Sequence, residues 1–491
     1  MLDNQKNILL IFDDRETVSG DVRNLVGHRR YGEIVFKRKT LVQHFISAVP
    51  DWMSKNFIHL RGADDLPELR STLETSSEST AVCVVAGRAG FRQLQYLNQL
   101  MQRMPYAEED FIDRLYKPLI LFLQNAHFLV ENWSAFVASP LHIWDRAWQG
   151  FQRVQSIEPF DLSNIRDFLS FTCDSTATRH FNEVQIDTFF YTKRSTDKRK
   201  MLAEYSFYNI VPESMRPWLI QPFDYQDEGG RASYKMMRYY LADAALQWVH
   251  GAFENDTFEP FVERILFFLA SRPQQPRSKE DVALVAKRLF VDKVMERAEE
   301  FLSLERGRSI NDLVKSATPH FELNSQVERY IRLYHRHKKS FEQAYLVVGH
   351  GDPCFSNILY DQQRYLLKLI DPKGAVSQDE MWTHPLYDLC KISHSVMGDY
   401  DFINNGLYEV GFTDEITLKL TINQGNMSSL KQLFLKSIAA QGYNARIMRL
   451  GEASLFLSML PLHIDHPKKI MAFLVTSGKI LDEIEYGQLP R

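Results

Sequence analysis

The stretch Val347–Gly374, VVGHGDPCFSNILYDQQRYLLKLIDPKG, decides how the rest of the chain is read. Apolar residues lead into His350-Gly351-Asp352. Asn357 follows after four intervening residues, and a hairpin-like segment delivers Asp371 at the end of 366–370. Phosphoryl transfer from a nucleotide needs these parts. One carboxylate must orient an acceptor hydroxyl, and an amide oxygen and a second carboxylate must hold a magnesium ion against the phosphates. Hard oxygen ligands suit Mg²⁺, which takes few protein contacts. Asp352 therefore reads as the catalytic base, and Asn357 and Asp371 as metal ligands. The competing reading is a polar turn whose Asp and Asn cap local backbone groups. His-Gly-Asp alone favours that turn; the complete run favours the chemistry.

The spacing from Asp352 to Asn357 is that of the protein-kinase catalytic loop. With His350-Gly351-Asp352…Asn357 and Ile370-Asp371, the stretch resembles the aminoglycoside phosphotransferase and choline kinase-like family, which shares the protein-kinase fold. The resemblance implies ATP and Mg²⁺ as cofactors and a bilobal α+β domain. It also implies that His350 supports the catalytic loop and that Asp388, in Tyr387-Asp388-Leu389, braces it. A plain helix N-cap is the simpler role for Asp388. The chain departs from the family pattern at Pro372-Lys373-Gly374, where relatives more often carry an aromatic or acidic residue after the Asp.

Upstream, 181–187 and 188–192 read as paired strands, followed by Lys193 and by a helix over 197–208 whose Met201, Tyr205 and Tyr208 share one face. Glu204 lies on that helix. A strand lysine held by a helix glutamate touches the α- and β-phosphates in kinases, and Lys193 and Glu204 are assigned those roles. No glycine-rich loop precedes Lys193, so 175–180, with Arg179, would have to cover the phosphates. Segments 218–225 and 233–240 supply the last strands and the interlobe hinge, with Met237 and Tyr239 bordering the adenine. Residues 156–240 form the expected small lobe and 241–491 a mainly helical large lobe, with helices over 241–250, 260–270, 279–304 and 325–345. His384, His394, Asp399, Asp401 and Glu380 fall near the expected acceptor site without a motif that names any of them a ligand.

Residues 1–155 alternate short apolar runs (8–12, 33–36, 57–60, 81–86 and 119–123) with amphipathic helices over 41–48, 66–73 and 93–104. The alternation predicts a mostly parallel α/β sheet. Order and placement resemble a nucleotidyltransferase (GT-A-like) fold. That fold places a glycine-rich, arginine-containing phosphate loop after its first strand, whereas this chain has Asp13-Asp14-Arg15-Glu16-Thr17. Carboxylates repel a triphosphate, so a solvated turn on a catalytically silent domain is expected. The Asp-x-Asp of a haloacid-dehalogenase phosphatase is not supplied either.

The 491 residues exceed one core, and 45% hydrophobic with 24% charged residues is ordinary globular composition. A net charge of −4 gives no reason to expect nucleic acid. Four scattered cysteines fit neither a zinc site nor a disulfide framework. The N-terminus makes a poor signal peptide and no run is long enough to span a membrane, so the expectation is a cytoplasmic protein. Arg179–Asn182, Lys193–Asp197 and Ile370–Gly374 together resemble kinase-like proteins of bacterial capsule or surface-glycan biosynthesis. That resemblance implies a sugar, polyol or glycan-precursor hydroxyl as acceptor, and association with other enzymes of glycan synthesis. Two alternatives stay open: a pseudokinase scaffold that binds nucleotide or a partner without turnover, and a bifunctional nucleotidyltransferase-kinase.

Overall fold

The structure is a computed structural model that describes residues 6–77, 79–138, 151–173 and 182–487. The chain divides into two compact units, Met1–Ser175 and Thr176–Arg491.

The first unit is built on a six-stranded sheet in the order Phe57–Leu60, Ile8–Asp13, Ala81–Ala86, Ile120–Leu123, Phe111–Ile112, Gln152–Arg153. Ile8–Asp13 and Ala81–Ala86 are buried along their whole length. Strands buried on both faces are apolar throughout and do not alternate. The first three strands are mutually parallel, as expected. Ile120–Leu123 instead runs antiparallel to both of its neighbours. The short link from Phe111–Ile112 permits only that return, since a parallel crossover needs a dozen residues or more. The strand expected over 33–36 is also corrected. Val35–Phe36 pairs with Lys39–Thr40 in a separate hairpin whose turn residues Lys37 and Arg38 both have positive φ, the geometry of a two-residue primed turn. Thr40 then starts helix Leu41–Ala48 with a reciprocal capping box to Gln43.

Two further expectations for this unit change. Phe160–Asp161 pairs with Ala89–Gly90, and Asp161 meets the buried Arg88 at 3.3 Å. Residues 156–175, read from sequence as the start of the small lobe, therefore belong with the first unit. Nor is the acidic segment a solvated turn, because Asp13 and Asp14 are each only 1% exposed. Asp13 takes two charge-assisted bonds of 2.8 Å from Arg15. Asp14 accepts the Gly32 N–H at 2.7 Å and faces His59 Nε2 at 3.3 Å, and Glu16 pairs with Arg88 at 3.0 Å. The acids are held by internal bases.

The second unit opens with a four-stranded antiparallel sheet in the order Asn182–Ile186, Phe190–Ser195, Arg231–Met237, Pro222–Glu228. Asp197 caps helix Lys198–Ile210 by accepting the Lys200 N–H at 3.0 Å. The rest is mainly helical around one large apolar core. The helix expected over 279–304 is interrupted: Lys279–Lys287 and Lys293–Ser303 are joined by a π-helical turn, Arg288–Asp292. The one expected over 325–345 ends at Arg336, and Tyr345–Val348 is a strand leading into the His-Gly-Asp turn. Beneath that turn Phe355 is fully buried, edge-on to Trp248 at 5.7 Å and to Phe261 at 5.3 Å. Aromatic pairs of this kind add to plain burial, and Phe355 pins the loop to the large core. Among the described residues no helix is long and apolar enough to cross a membrane.

Candidate active site

Hairpin register brings the two expected metal ligands together. Ile358–Asp361 pairs antiparallel with Leu366–Leu369, with Ile358 opposite Leu369. One step further, Ile370 N–H donates to the Asn357 carbonyl at 3.0 Å, so Asp371 emerges beside Asn357. Asn357 Nδ2 donates to the Asp352 carbonyl at 2.8 Å. That fixes which end of the amide is engaged and leaves its oxygen as the group able to face a cation. Asp371 has φ +55°. A non-glycine residue held in that region is uncommon, and such strain clusters at functional sites. Gly374, at φ +81°, lies so close to the backbone of Ala203 and Glu204 that a Cβ would collide with it. Ala375 N–H also donates to the Ala203 carbonyl at 3.1 Å. The Pro372-Lys373-Gly374 segment thus docks onto the helix that carries Glu204.

Lys193 and Tyr234 are register partners on neighbouring strands, and both reach Glu204 Oε2 at 2.8 Å. Lys193 Nζ also stands 3.0 Å from Asp371 Oδ1. Lys193 and Glu204 are buried, at 3% and 4% exposure. Burial would lower the Lys193 pKa, but the Asp371 and Glu204 carboxylates outweigh it and hold the ammonium above the usual lysine range. Lys200 Nζ lies 3.6 Å from the other Glu204 oxygen, so that carboxylate is shared between two ammonium groups. The hard oxygens of Asp371 and Asn357 are of the kind that would hold a magnesium ion.

The His-Gly-Asp turn is fixed from below. Asp388, fully buried on helix Pro385–Val396, accepts the N–H groups of His350 at 3.0 Å and Gly351 at 2.9 Å. Its charge is matched by Arg272 at 3.0 Å, whose other nitrogen donates to the Pro385 carbonyl at 2.9 Å. His350 is itself fully buried, and burial pushes its imidazole pKa down. Gly351, at φ +85°, makes the turn against Lys373. Asp352 stands half-buried at its tip, and Lys391 Nζ approaches Asp352 Oδ1 to 2.9 Å. Burial would raise the Asp352 pKa, yet the Lys391 ammonium outweighs it and holds the carboxyl below the usual aspartate value. Lys391 had a sequence signal that went unused: it lies three residues after Asp388, on the neighbouring face of one helix. Arg272 had none, since it is 116 positions from Asp388.

Other assignments fall differently. Arg179 and the segment expected to cover the phosphates lie outside the described residues. Met237 and Tyr239 are exposed, at 52% and 39%. Strand alternation turns Met236 inward with Tyr234. His384, expected near the acceptor, is a buried N-cap bonded to the Phe341 carbonyl at 2.9 Å, and burial lowers its pKa to about 4. His394 and Asp401 are buried too, and Asp399 pairs with Lys431 at 2.6 Å. Only Glu380 remains at the surface, accepting the Val376 N–H at 3.1 Å.

No family model and no curated protein matches the chain. Solved structures with a similar course include a thermostable mutant of aminoglycoside phosphotransferase APH(4)-Ia in its apo form, at 8% identity and a TM-score of 0.36, covering 66% of this chain and 100% of that one. Thermostable mutants of the same protein in ternary complexes are also similar. The complex with ADP and hygromycin B has 8% identity and a TM-score of 0.39, and that with AMP-PNP and hygromycin B has 9% and 0.36. Each covers 64% of this chain and 93% of that one. Likeness at this level is too low to carry chemistry across.

Proposed function

We propose that the chain is an ATP- and Mg²⁺-dependent phosphotransferase that moves a γ-phosphoryl group to a hydroxyl of a small molecule. The observation that carries this reading is the Lys193–Glu204 pair on a strand and a helix, reaching an Asp371 that hairpin register sets beside Asn357. Lys193 would contact the α- and β-phosphates while Glu204 and Tyr234 hold it in place. Asp371 and Asn357 would hold magnesium, which when bound neutralises charge on the phosphates. Asp352 would orient the acceptor hydroxyl and take its proton, with Asp388 and His350 fixing the turn on which it stands. Lys391, within reach of Asp352, would meet the negative charge of the phosphoryl group in transit. A sugar, polyol or glycan precursor of capsule or surface-polysaccharide synthesis is the acceptor class we favour, from the resemblance of the motifs above, with other enzymes of that synthesis as partners.

The test pairs two variants with two readouts. Asp352→Asn is expected to lose about 10²-fold or more in turnover while nucleotide affinity stays constant. Asp371→Ala is expected to lose Mg²⁺-dependent nucleotide binding. Unchanged Mg²⁺ affinity in Asp371→Ala removes the metal assignment. Nucleotide binding without turnover on any sugar or polyol would favour a binding scaffold instead.

A further inference from the structure

The charges on the two sides of the candidate site are balanced differently. On the nucleotide side two ammonium groups, Lys193 and Lys200, meet two carboxylates, Glu204 and Asp371. Around Asp352 the ammonium groups outnumber the carboxylate. Lys391 pairs with Asp352 at 2.9 Å, and a second ammonium, Lys293, lies close enough to help lower the Asp352 pKa. Lys293 is half-buried and donates to the Tyr387 hydroxyl at 3.0 Å, with its ammonium 5.6 Å from the centre of the Tyr387 ring. It meets no carboxylate among the described residues. The neighbouring Asp292 is taken by Lys287.

A half-buried ammonium whose near contact is a hydroxyl and not a carboxylate has lost part of its solvation without gaining a counter-charge. The local backbone is built for that position. Lys293 is the first residue after the π-helical turn Arg288–Asp292. Single π-helical turns inside α-helices are frequently found at functional sites. Here Phe290 of the turn packs against the Tyr387 ring at 5.8 Å, while Lys293 is brought to the hydroxyl of the same side chain.

We propose that Lys293 and Tyr387 form a seat for an anionic group, a carboxylate or a phosphate, carried by the acceptor molecule beside the hydroxyl that is phosphorylated. The seat rests on the phosphotransferase reading for the word acceptor, but its charge and its geometry do not. A monoanion there would restore neutrality to the Asp352–Lys391–Lys293 cluster and receive one bond from Lys293 and one from the Tyr387 hydroxyl. It would also hold the acceptor by a group remote from the reacting oxygen, which is how binding energy is converted into orientation.

The test uses the full-length protein, Lys293→Met and Lys293→Arg, and follows thermal unfolding at constant ionic strength with and without Mg–AMP-PNP. The probes are inorganic phosphate, D-glucuronate, D-glucose 6-phosphate and neutral D-glucose. With Mg–AMP-PNP present, at least one of the anionic probes should stabilise the native protein and glucose should not. Lys293→Met should bind those anions about tenfold more weakly, Lys293→Arg should keep them, and all three proteins should bind Mg–AMP-PNP alike. A response to glucuronate but not to the phosphates assigns a carboxylate; the converse assigns a phosphate. Equal anion responses in the wild type and Lys293→Met overturn the seat. A Lys293-dependent anion response without any Mg–AMP-PNP binding overturns the phosphotransferase reading and leaves the seat.

Discussion

Removing the Asp388 carboxylate should break the support of the His-Gly-Asp turn and much of the stability of the second unit. Asp388 and Arg272 are 0% and 1% exposed at their side chains, so neither charge can turn to water. Asp388→Ala leaves the Arg272 guanidinium buried beside two amides, those of His350 and Gly351, that have lost their acceptor. Breaking one side of a buried ion pair costs about 3–5 kcal/mol. Each orphaned amide adds roughly 1–3 kcal/mol when nothing replaces its acceptor. Because the alanine cavity can admit water, we expect a net loss of about 5 kcal/mol, comparable to the whole stability of many domains. At about 2.1 cal/mol/K per residue, that lowers the melting temperature of a unit of this size by roughly 8 °C. Calorimetry and denaturant titration of Asp388→Ala, and of Asp388→Leu, Arg272→Leu and their double variant, complete the cycle. The double variant should recover part of the loss, since it buries no unpaired charge. A loss under about 1 kcal/mol in Asp388→Ala, or strict additivity in the double variant, refutes the reasoning.

The Asp352–Lys391 pair sets a pH expectation. Lys391 holds the Asp352 carboxyl below its usual range, so the acid limb of kcat/KM should lie at lower pH than an ordinary aspartate base would give. In Lys391→Met that acid limb should move to higher pH, and an unmoved limb removes Lys391 from the electrostatics of the base. Gly374→Ala should shift or melt the Pro372–Gly374 segment, because its methyl meets the backbone of Ala203 and Glu204; raised nucleotide Kd and a lower Tm are the readouts, and wild-type values for both refute the close approach. Finally, Asp13, Asp14 and Glu16 are already held by Arg15, by Gly32 and His59, and by Arg88. The full chain carrying Asp352→Asn should therefore release no pyrophosphate from CTP or UTP, and measurable release would revive a bifunctional enzyme.

What the sequence determined by itself was local. The spacing of Asp352, Asn357 and Asp371 follows from one turn and one hairpin, and the apolar runs of 8–12 and 81–86 announce strands buried on both faces. Strand direction escaped, because whether Ile120–Leu123 runs with or against Ala81–Ala86 depends on where the preceding link leaves the chain, not on its composition. The burial of Asp14 escaped for a related reason: a carboxylate is stable inside only where bases and amides converge on it, and here Gly32 and His59 reach it from 18 and 45 positions away, while Asp13 is held by its near neighbour Arg15. Arg272 and Asp388 are 116 positions apart, and Lys293 and Tyr387 are 94 apart. A long-range charge pair leaves no period or motif in the chain. Its partners are chosen by the packing of helices around the core, so which charges of the candidate site are paired, and that Lys293 meets a hydroxyl and not a carboxylate, was decided only by the tertiary structure.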